Sequence, residues 1–322
     1  MTLASVGQKI ISFVYFAIVA GNIGVENTGK YFFALSFTTI FVVFVDLGLT
    51  NVLVREGARF QDKGKEYAGS ILGLKLILGL FSYAAAIIVI HLLKYPVETR
   101  QLIYLSGITM LFDSLHLTLY GVLRAMGHLQ YEAGSIVVSQ LLTLILGTAF
   151  LQLGYPLIFL ILAFTIPSAL NAIFAGAILI RKYRVSLIPK YDAGRAMQVA
   201  KIAVPFAIAA VLARLYSYAD TMILSKMAGD EALGLYSIAY KVTFAFQFVP
   251  LALVAATYPR FSEYFVHNRD KLAFVFERSV KYLLLIVAPI VIGISLLAPD
   301  IITSVFKPAY LPAVPALRIL LF

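Results

Sequence analysis

The sequence predicts an all-α integral membrane protein, built as a two-lobed helical bundle with parallel six-helix repeats, of which the second lobe is incomplete. The chain of 322 residues is 61% hydrophobic and 13% charged, with a mean hydropathy of +0.92, more apolar surface than a soluble domain can bury. Apolar runs of about 20 residues recur along it, the length a helix needs to cross a bilayer. They lack the alternation of β-barrel strands, so helices are the predicted spanning elements.

Clusters of Gly, Pro and charged residues separate the apolar runs and mark the predicted helix ends. The first run contains Lys9 and has no small-residue cleavage pattern, which indicates a retained helix rather than a cleaved signal. The stretches from Gly24 to Gly29 and "REGARFQDKGKEY" are predicted loops. The predicted helices are about 2–22, 30–54, 69–93, 101–121, 132–153, 156–180, 199–226, 232–258 and 279–298, with a tenth beginning near Pro312.

The basic residues predict the orientation of the chain. When the helices are threaded alternately across a membrane, one side receives most of the Lys and Arg, and such an excess marks the cytoplasmic side. The sequence therefore predicts a multi-pass plasma-membrane protein with a cytoplasmic N-terminus, whose basic loops touch lipid headgroups rather than nucleic acid. The residues on this side are Arg55, Arg59, Lys63, Lys65, Arg124, Arg181, Lys182, Arg184, Lys190, Arg195, Arg260, Arg269, Lys271, Arg278 and Lys281.

An internal repeat appears when the chain is shifted by 205 positions. "GVENTGKYFFA" from Gly24 then matches "GDEALGLYSIA" from Gly229, and Lys9 pairs with Arg214. Six helices separate the copies, so both have the same orientation, as in parallel-repeat transporters. The predicted domains are a six-helix lobe over 1–185 and a partial lobe over 186–322. Because a full second lobe needs helices ten to twelve, we expect the chain to be a fragment.

Charged residues within the apolar runs are the candidate binding residues. Arg214 lies near the middle of the seventh helix and Lys241 near the middle of the eighth, where a charge is costly without a partner or a wet cavity. One interpretation is structural, with Arg214, Asp220 and Lys241 joining two helices. The other places Lys9, Arg214 and Lys241 at the lobe interface, where they would hold a phosphate.

Three further polar residues are candidates for charge pairing or ion coupling. Asp113 and His116 are three residues apart and share a helix face, and a proton relay and a structural pair are equally compatible with that spacing. Asp46, like Lys75, lies nearer a cytoplasmic helix end, where snorkelling explains it. The sequence has no cysteine and no recognisable catalytic, zinc-binding or phosphate-loop motif. It therefore predicts no enzyme activity, cofactor or metal site.

The stretch from Val6 to Glu56 resembles the opening of the oligosaccharide flippases, the polysaccharide transporter family within the multidrug/oligosaccharidyl-lipid/polysaccharide exporter superfamily. The similar features are a basic residue in the first helix, the G-x-x-x-x-G-x-Y/F turn, "DLGL" with Asp46, and "RE-x-A-R" from Arg55 to Arg59. "LRAMGHLQYEA" and "YADTMILSKMAGDEALGLYSIAYKV" also fit. The resemblance extends over the whole chain, although its individual motifs are loose.

The resemblance implies a V-shaped central cavity and the movement of a polyprenyl-pyrophosphate-linked oligosaccharide from the cytoplasmic to the outer leaflet. The family's cationic cavity corresponds here to Lys9, Arg214 and Lys241. The expected partners are this lipid-linked oligosaccharide, membrane lipids and a coupling ion, H⁺ or Na⁺. The alternatives are a multidrug or lipid II-type exporter of the same superfamily and a membrane polysaccharide polymerase or glycosyltransferase. A multidrug exporter would favour membrane carboxylates for its cationic substrates, whereas the sequence does not exclude a lipid II-type exporter. A polymerase or glycosyltransferase would need catalytic groups that these short loops do not supply.

Overall fold

A computed structural model describes residues 2–59, 61–189 and 193–322. Within these ranges the chain is helical and contains no β-strand. A six-residue 3₁₀ helix, Pro308–Ala313, precedes the last α-helix. The α-helices are α1 Thr2–Ile23, α2 Val25–Asp46, α3 Leu49–Arg59, α4 Gln61–Leu92, α5 Val97–Ala125, α6 Leu129–Gln152, α7 Ile158–Arg181, α8 Ala193–Phe246, α9 Phe248–His267, α10 Arg269–Leu296, α11 Ala298–Val305 and α12 Val314–Leu321.

The prediction of an all-α membrane bundle is confirmed. Eight helices within the described ranges are long and apolar enough to cross a membrane. The predicted helix 30–54 is wrong in detail, because the chain turns at Leu47 and Gly48, whose φ angles of 43° and 78° lie in the left-handed region. The predicted loop after Arg55 is also wrong, since α3 runs through Arg59 and α4 begins at Gln61. Lys190, part of a predicted basic loop, lies outside the described residues.

Later helix ends differ from the prediction in the same way. The predicted seventh and eighth helices form α8, which is interrupted by non-helical backbone at Gly229. α9 then begins at Phe248 rather than continuing the eighth helix, and α10 begins at Arg269, about ten residues before its predicted start. Polar residues at these positions extend helices beyond the apolar run, because helix formation does not require an apolar sequence.

The chain divides into two compact units, Met1–Leu233 and Gly234–Phe322. This division by packing differs from the predicted lobes, which are defined by the repeat and stay a prediction. In the first unit α5 is the central helix and packs against α2, α3, α4 and α7, while α1 packs against α6. One core cluster there joins α3, α4, α5 and α7 through Leu53, Ile71, Leu123 and Leu179.

The second unit is built around α10. This helix packs against α9, α11 and α12, and the 3₁₀ helix packs against α11 and α12. The segment from α11 to α12 has a buried apolar side, to which Phe306, Tyr310 and Leu317 contribute. Asn268 caps α10 by accepting a hydrogen bond from the backbone N–H of Lys271 at 2.9 Å, which satisfies one of the free donors at a helix start.

The repeat is visible in the backbone. Gly24 has φ 79° and ψ 171°, and Gly229 has φ 84° and ψ −178°, a combination that is almost confined to glycine. A helical segment follows each glycine, and its equivalent alanine, Ala34 in the first copy and Ala239 in the second, is fully buried. The hydroxyls of Thr38 and Thr243, also 205 positions apart, donate to the carbonyls of Ala34 and Ala239 at 3.0 and 2.9 Å. The similarity of the two copies therefore extends to conformation and side-chain bonding.

Candidate functional site

Lys9 and Arg214 occupy matching positions on two helices of the first unit. Lys9 is exposed on α1 between exposed Gln8 and Ile10, and Arg214 is exposed within the exposed stretch 212–217 of α8. Both lie inside apolar segments of membrane-spanning length. An exposed cation in such a segment requires water or a polar partner rather than lipid.

The same two helices are buried toward the side that the sequence predicts to be outside. Phe16 and Ala20 are buried on α1, and Thr221 and Ser225, their counterparts at the 205-residue offset, are buried on α8. Each helix thus has buried side chains near its predicted outer end, whereas the positions around the two cations are exposed.

Lys241 and Asp220 are the other members of the predicted cluster. Lys241 is half-buried in the second unit, next to buried Val242. Asp220 is half-buried in the first unit, where its Oδ1 accepts the backbone N–H of Thr221 at 2.7 Å. The two residues belong to different units, so their pairing, and the grouping of Lys241 with Lys9 and Arg214, stay predictions.

Asp46 forms an ion pair with Lys75 inside the protein. Its Oδ1 contacts Nζ of Lys75, which is only 5% exposed, and it also accepts the backbone N–H of Thr50 at 3.3 Å. Lys75 donates a second bond to the hydroxyl of Thr50 at 2.7 Å. The pair joins the end of α2 to α4 within the first unit. The snorkelling expected for Lys75 is therefore wrong, because its ammonium group points into the protein.

Asp113 and His116 come together as their spacing predicts. His116 Nδ1 lies 3.7 Å from Oδ1 of Asp113, and Ser168 on α7 donates its hydroxyl hydrogen bond to the same carboxyl group. One turn further along α5, the Tyr120 hydroxyl donates to Ser135 on α6, and its ring stands edge-on to His116 at 6.0 Å between centroids. Hydrogen bonds inside the first unit thus join α5 to α7 at Asp113 and α5 to α6 at Tyr120, and Ser168, Tyr120 and Ser135 are members that the sequence did not single out.

A second group that the sequence did not single out lies at the predicted outer side. The turn Leu93–Pro96, between α4 and α5, contacts α8 through Ser225 and Lys226. Burial raises the pKa of the Tyr95 phenol, so this hydroxyl remains a hydrogen-bond donor at neutral pH. Tyr95 and Ser225 are 130 residues apart, and neither is charged, so no sequence pattern marked them.

Comparison with known proteins identifies the family. Residues 1–265 match the family described as "Polysaccharide biosynthesis protein". A curated relative is the capsular polysaccharide biosynthesis protein CapF of Staphylococcus aureus, 24% identical over 246 residues, which cover 74% of this chain and 59% of that protein. The chain thus spans about three-fifths of that relative's length.

Solved structures give the same fold. An inward-facing multidrug resistance MATE family transporter of the MOP superfamily gives a TM-score of 0.75 at 17% identity. The match covers 97% of this chain and 76% of the transporter chain. An outward-facing MATE structure gives a TM-score of 0.66 at 18% identity, covering 98% of this chain and 75% of that one. A MOP superfamily transporter from Pyrococcus furiosus, described as having a binding pocket of reverse polarity, gives a TM-score of 0.63 at 18% identity. The match covers 98% of this chain and 77% of that one. With the family match extending through residue 265, this chain belongs to the polysaccharide biosynthesis protein family and has the multi-pass membrane fold of the MATE transporters.

Proposed function

We propose that the chain is a flippase that moves a polyprenyl-pyrophosphate-linked oligosaccharide from the cytoplasmic to the outer leaflet of the plasma membrane by alternating access. The N-terminus is cytoplasmic in this proposal. The observation that carries it is the matched exposure of Lys9 and Arg214 on helices that each have buried side chains nearer the predicted outer side. Membership in the polysaccharide biosynthesis family supports the saccharide part of the substrate.

Arg214 is the principal phosphate ligand in this proposal. A guanidinium group binds two phosphate oxygens at once through charge-assisted hydrogen bonds. Lys9, and Lys241 from the second unit, add point charges that follow the pyrophosphate as the lobes move. A cationic cavity of this kind repels cationic drugs, which argues against the multidrug alternative. Lys9 and Arg214 bind without catalysing a reaction, so the protein acts as a transporter rather than as a polymerase.

The coupling ion is a proton in this proposal, exchanged at Asp113 and His116. Their 3.7 Å separation is longer than a hydrogen bond, so the proton passes between them through one water in this proposal, and Ser168 fixes the orientation of the carboxyl group. Asp46 is less suited to this role, because Lys75 already neutralises it.

The test is the amount of surface polysaccharide made by cells that carry the variant gene at its own locus. Arg214→Gln keeps a polar side chain but removes the charge, and we expect at least a roughly tenfold loss, the size of one charge-assisted hydrogen bond. Arg181→Gln, an exposed arginine at the end of α7, is the matched control and should leave the amount unchanged. Unchanged polysaccharide in Arg214→Gln at equal membrane abundance would remove Arg214 from the mechanism.

The same assay tests the proton site. Asp113→Asn retains the size of the side chain and its hydrogen bond with Ser168 but cannot exchange a proton at this position. We expect polysaccharide export to fall several-fold and to lose its dependence on the proton gradient. Full dependence on the gradient in Asp113→Asn would place coupling elsewhere.

A further inference from the structure

The turn between α4 and α5 is bonded to α8 by three interactions. The Tyr95 hydroxyl donates to Oγ of Ser225 at 3.1 Å. The ammonium group of Lys226 donates to the Leu93 carbonyl at 2.7 Å and lies 5.3 Å from the centroid of the Tyr95 ring. Hydrogen bonds and a cation–π contact therefore converge on one short turn.

The turn side of this contact is held in place by its own surroundings. The Tyr95 ring is stacked on fully buried Phe33 of α2, with centroids 4.6 Å apart and planes inclined by 22°. The Leu93 carbonyl lies just beyond the end of α4, among the last carbonyls, which lack helical partners and favour a cation. The turn thus presents a preformed acceptor and donor to α8.

The contact joins the two copies of the repeat at their predicted outer end. Ser225 and Lys226 stand in the second copy where Ala20 and Gly21 stand in the first, and those two residues have no side-chain groups for such bonds. Ser225 is buried at the contact, whereas the stretch 212–217 of the same helix is exposed. The helix is therefore fastened at its predicted outer end and uncovered beside Arg214.

We infer that Tyr95, Ser225, Lys226 and the Leu93 carbonyl form an outer latch, which keeps the substrate path closed toward the outside and parts during each release. This inference rests on the proposed function. Each interaction is weak enough to break in a transport cycle, and hydrogen bonds and cation–π contacts of this kind each shift a two-state equilibrium by only a few-fold. Together they hold the closed state by roughly tenfold to a hundredfold.

The latch can be tested by accessibility, because the chain has no cysteine and a single introduced thiol gives an unambiguous signal. Ser217→Cys places that thiol three residues after Arg214, on the same face of α8. Intact cells are treated with a membrane-impermeant maleimide, and inverted vesicles from the same cells establish that the thiol reacts from the cytoplasmic side. The latch is weakened by Tyr95→Phe with Lys226→Met, which retain the stacking on Phe33.

We expect labelling from outside to be slow with the latch intact and about tenfold faster in the double variant. The matched control is Tyr155→Phe with Lys94→Met. Tyr155 precedes a proline in the α6 to α7 turn as Tyr95 does in its own turn, and Lys94 lines the same small cavity as Lys226. The control should label as slowly as the intact latch.

Three results overturn the latch: rapid labelling from outside with the latch intact, equal rates in the intact and double variants, or equal acceleration by the control pair. Labelling reports the opening of the path and not transport. Unchanged polysaccharide with Arg214→Gln therefore removes Arg214 from the proposed mechanism without deciding the latch, and these three results refute the latch without deciding the substrate.

Discussion

The first copy of the repeat, from α1 to α4, and the second, from α8 to α10, share a turn geometry but differ in the charges that they carry. Gly24 and Gly229 adopt the same unusual backbone conformation. At the same offset, however, the Asp46 and Lys75 positions of the first copy are occupied by Leu251 and Val280 in the second. Conversely, buried Ser36 of the first copy corresponds to half-buried Lys241 of the second.

This difference indicates which charges are available for substrate. Asp46 and Lys75, whose charges are peculiar to the first copy, neutralise each other inside it. Lys9 and Arg214, which both copies retain as basic residues, are exposed. Both copies thus share the turn conformation and the basic position of Lys9 and Arg214, while Asp46, Lys75 and Lys241 have no charged counterpart at the same offset.

The largest effect on stability is expected when a residue of the first copy is replaced by the residue at the same position of the second. Lys75→Val leaves Asp46 without its cation, and losing one member of a buried pair is costly. We expect a loss of about 2 to 4 kcal/mol, less than for a fully buried pair because Asp46 keeps 29% of its side chain exposed. The measurement is unfolding of the purified protein in detergent, where the apparent melting temperature should fall by several degrees.

The double variant Asp46→Leu with Lys75→Val is the control for this change. It installs both residues of the second copy and removes the ion pair as a whole, and apolar replacement of such pairs is often neutral. We expect stability within about 1 kcal/mol of the parent protein. A double variant as unstable as Lys75→Val would show that the two copies do not tolerate the same apolar pair.

The next effect concerns the turn that the copies share. Gly24→Ala and Gly229→Ala should each cost about 1 to 3 kcal/mol, because a side chain is strained at these backbone angles. A steric clash is not the cause of this cost, since a Cβ atom at either position meets no neighbour within 4 Å. Gly134→Ala, in equally open surroundings within helix α6, should be neutral or stabilising. A cost at only one of the two turns would break the equivalence of the copies.

The sequence was sufficient for features that depend on local composition. The apolar runs located the membrane helices, and the matching turns at Gly24 and Gly229 identified the repeat before any backbone angle was known. Residues 55–59 and 61–67 are helical although their charges resemble a loop, because charged residues are compatible with helix outside the hydrocarbon layer. The turn at Leu47 and Gly48 was missed because it interrupts the helix without interrupting the apolar run.

The candidate site was predictable only where its residues are close in sequence. Asp113 and His116 share a helix face and lie 3.7 Å apart. Their partner Ser168 is 55 residues away, and pairing between distant helices depends on packing that hydropathy does not encode. The repeat aligns Lys9 with Arg214, and their role as phosphate ligands stays a prediction, whereas the Tyr95 to Ser225 contact has no counterpart at the 205-residue offset.

The smallest expected effect on stability concerns a threonine that occupies the same position in both copies. The hydroxyls of Thr38 and Thr243 both bond within their own helices, but Thr38 also meets the Ser106 hydroxyl of α5 at 2.7 Å in a buried position. Thr38→Val should therefore cost about 1 kcal/mol, the net value of one buried hydrogen bond. Thr243→Val, which loses only a bond within its helix, should cost a few tenths of that. Denaturant titration of the two variants side by side measures the difference, and equal costs would mean that the Thr38 to Ser106 bond adds nothing to the first copy.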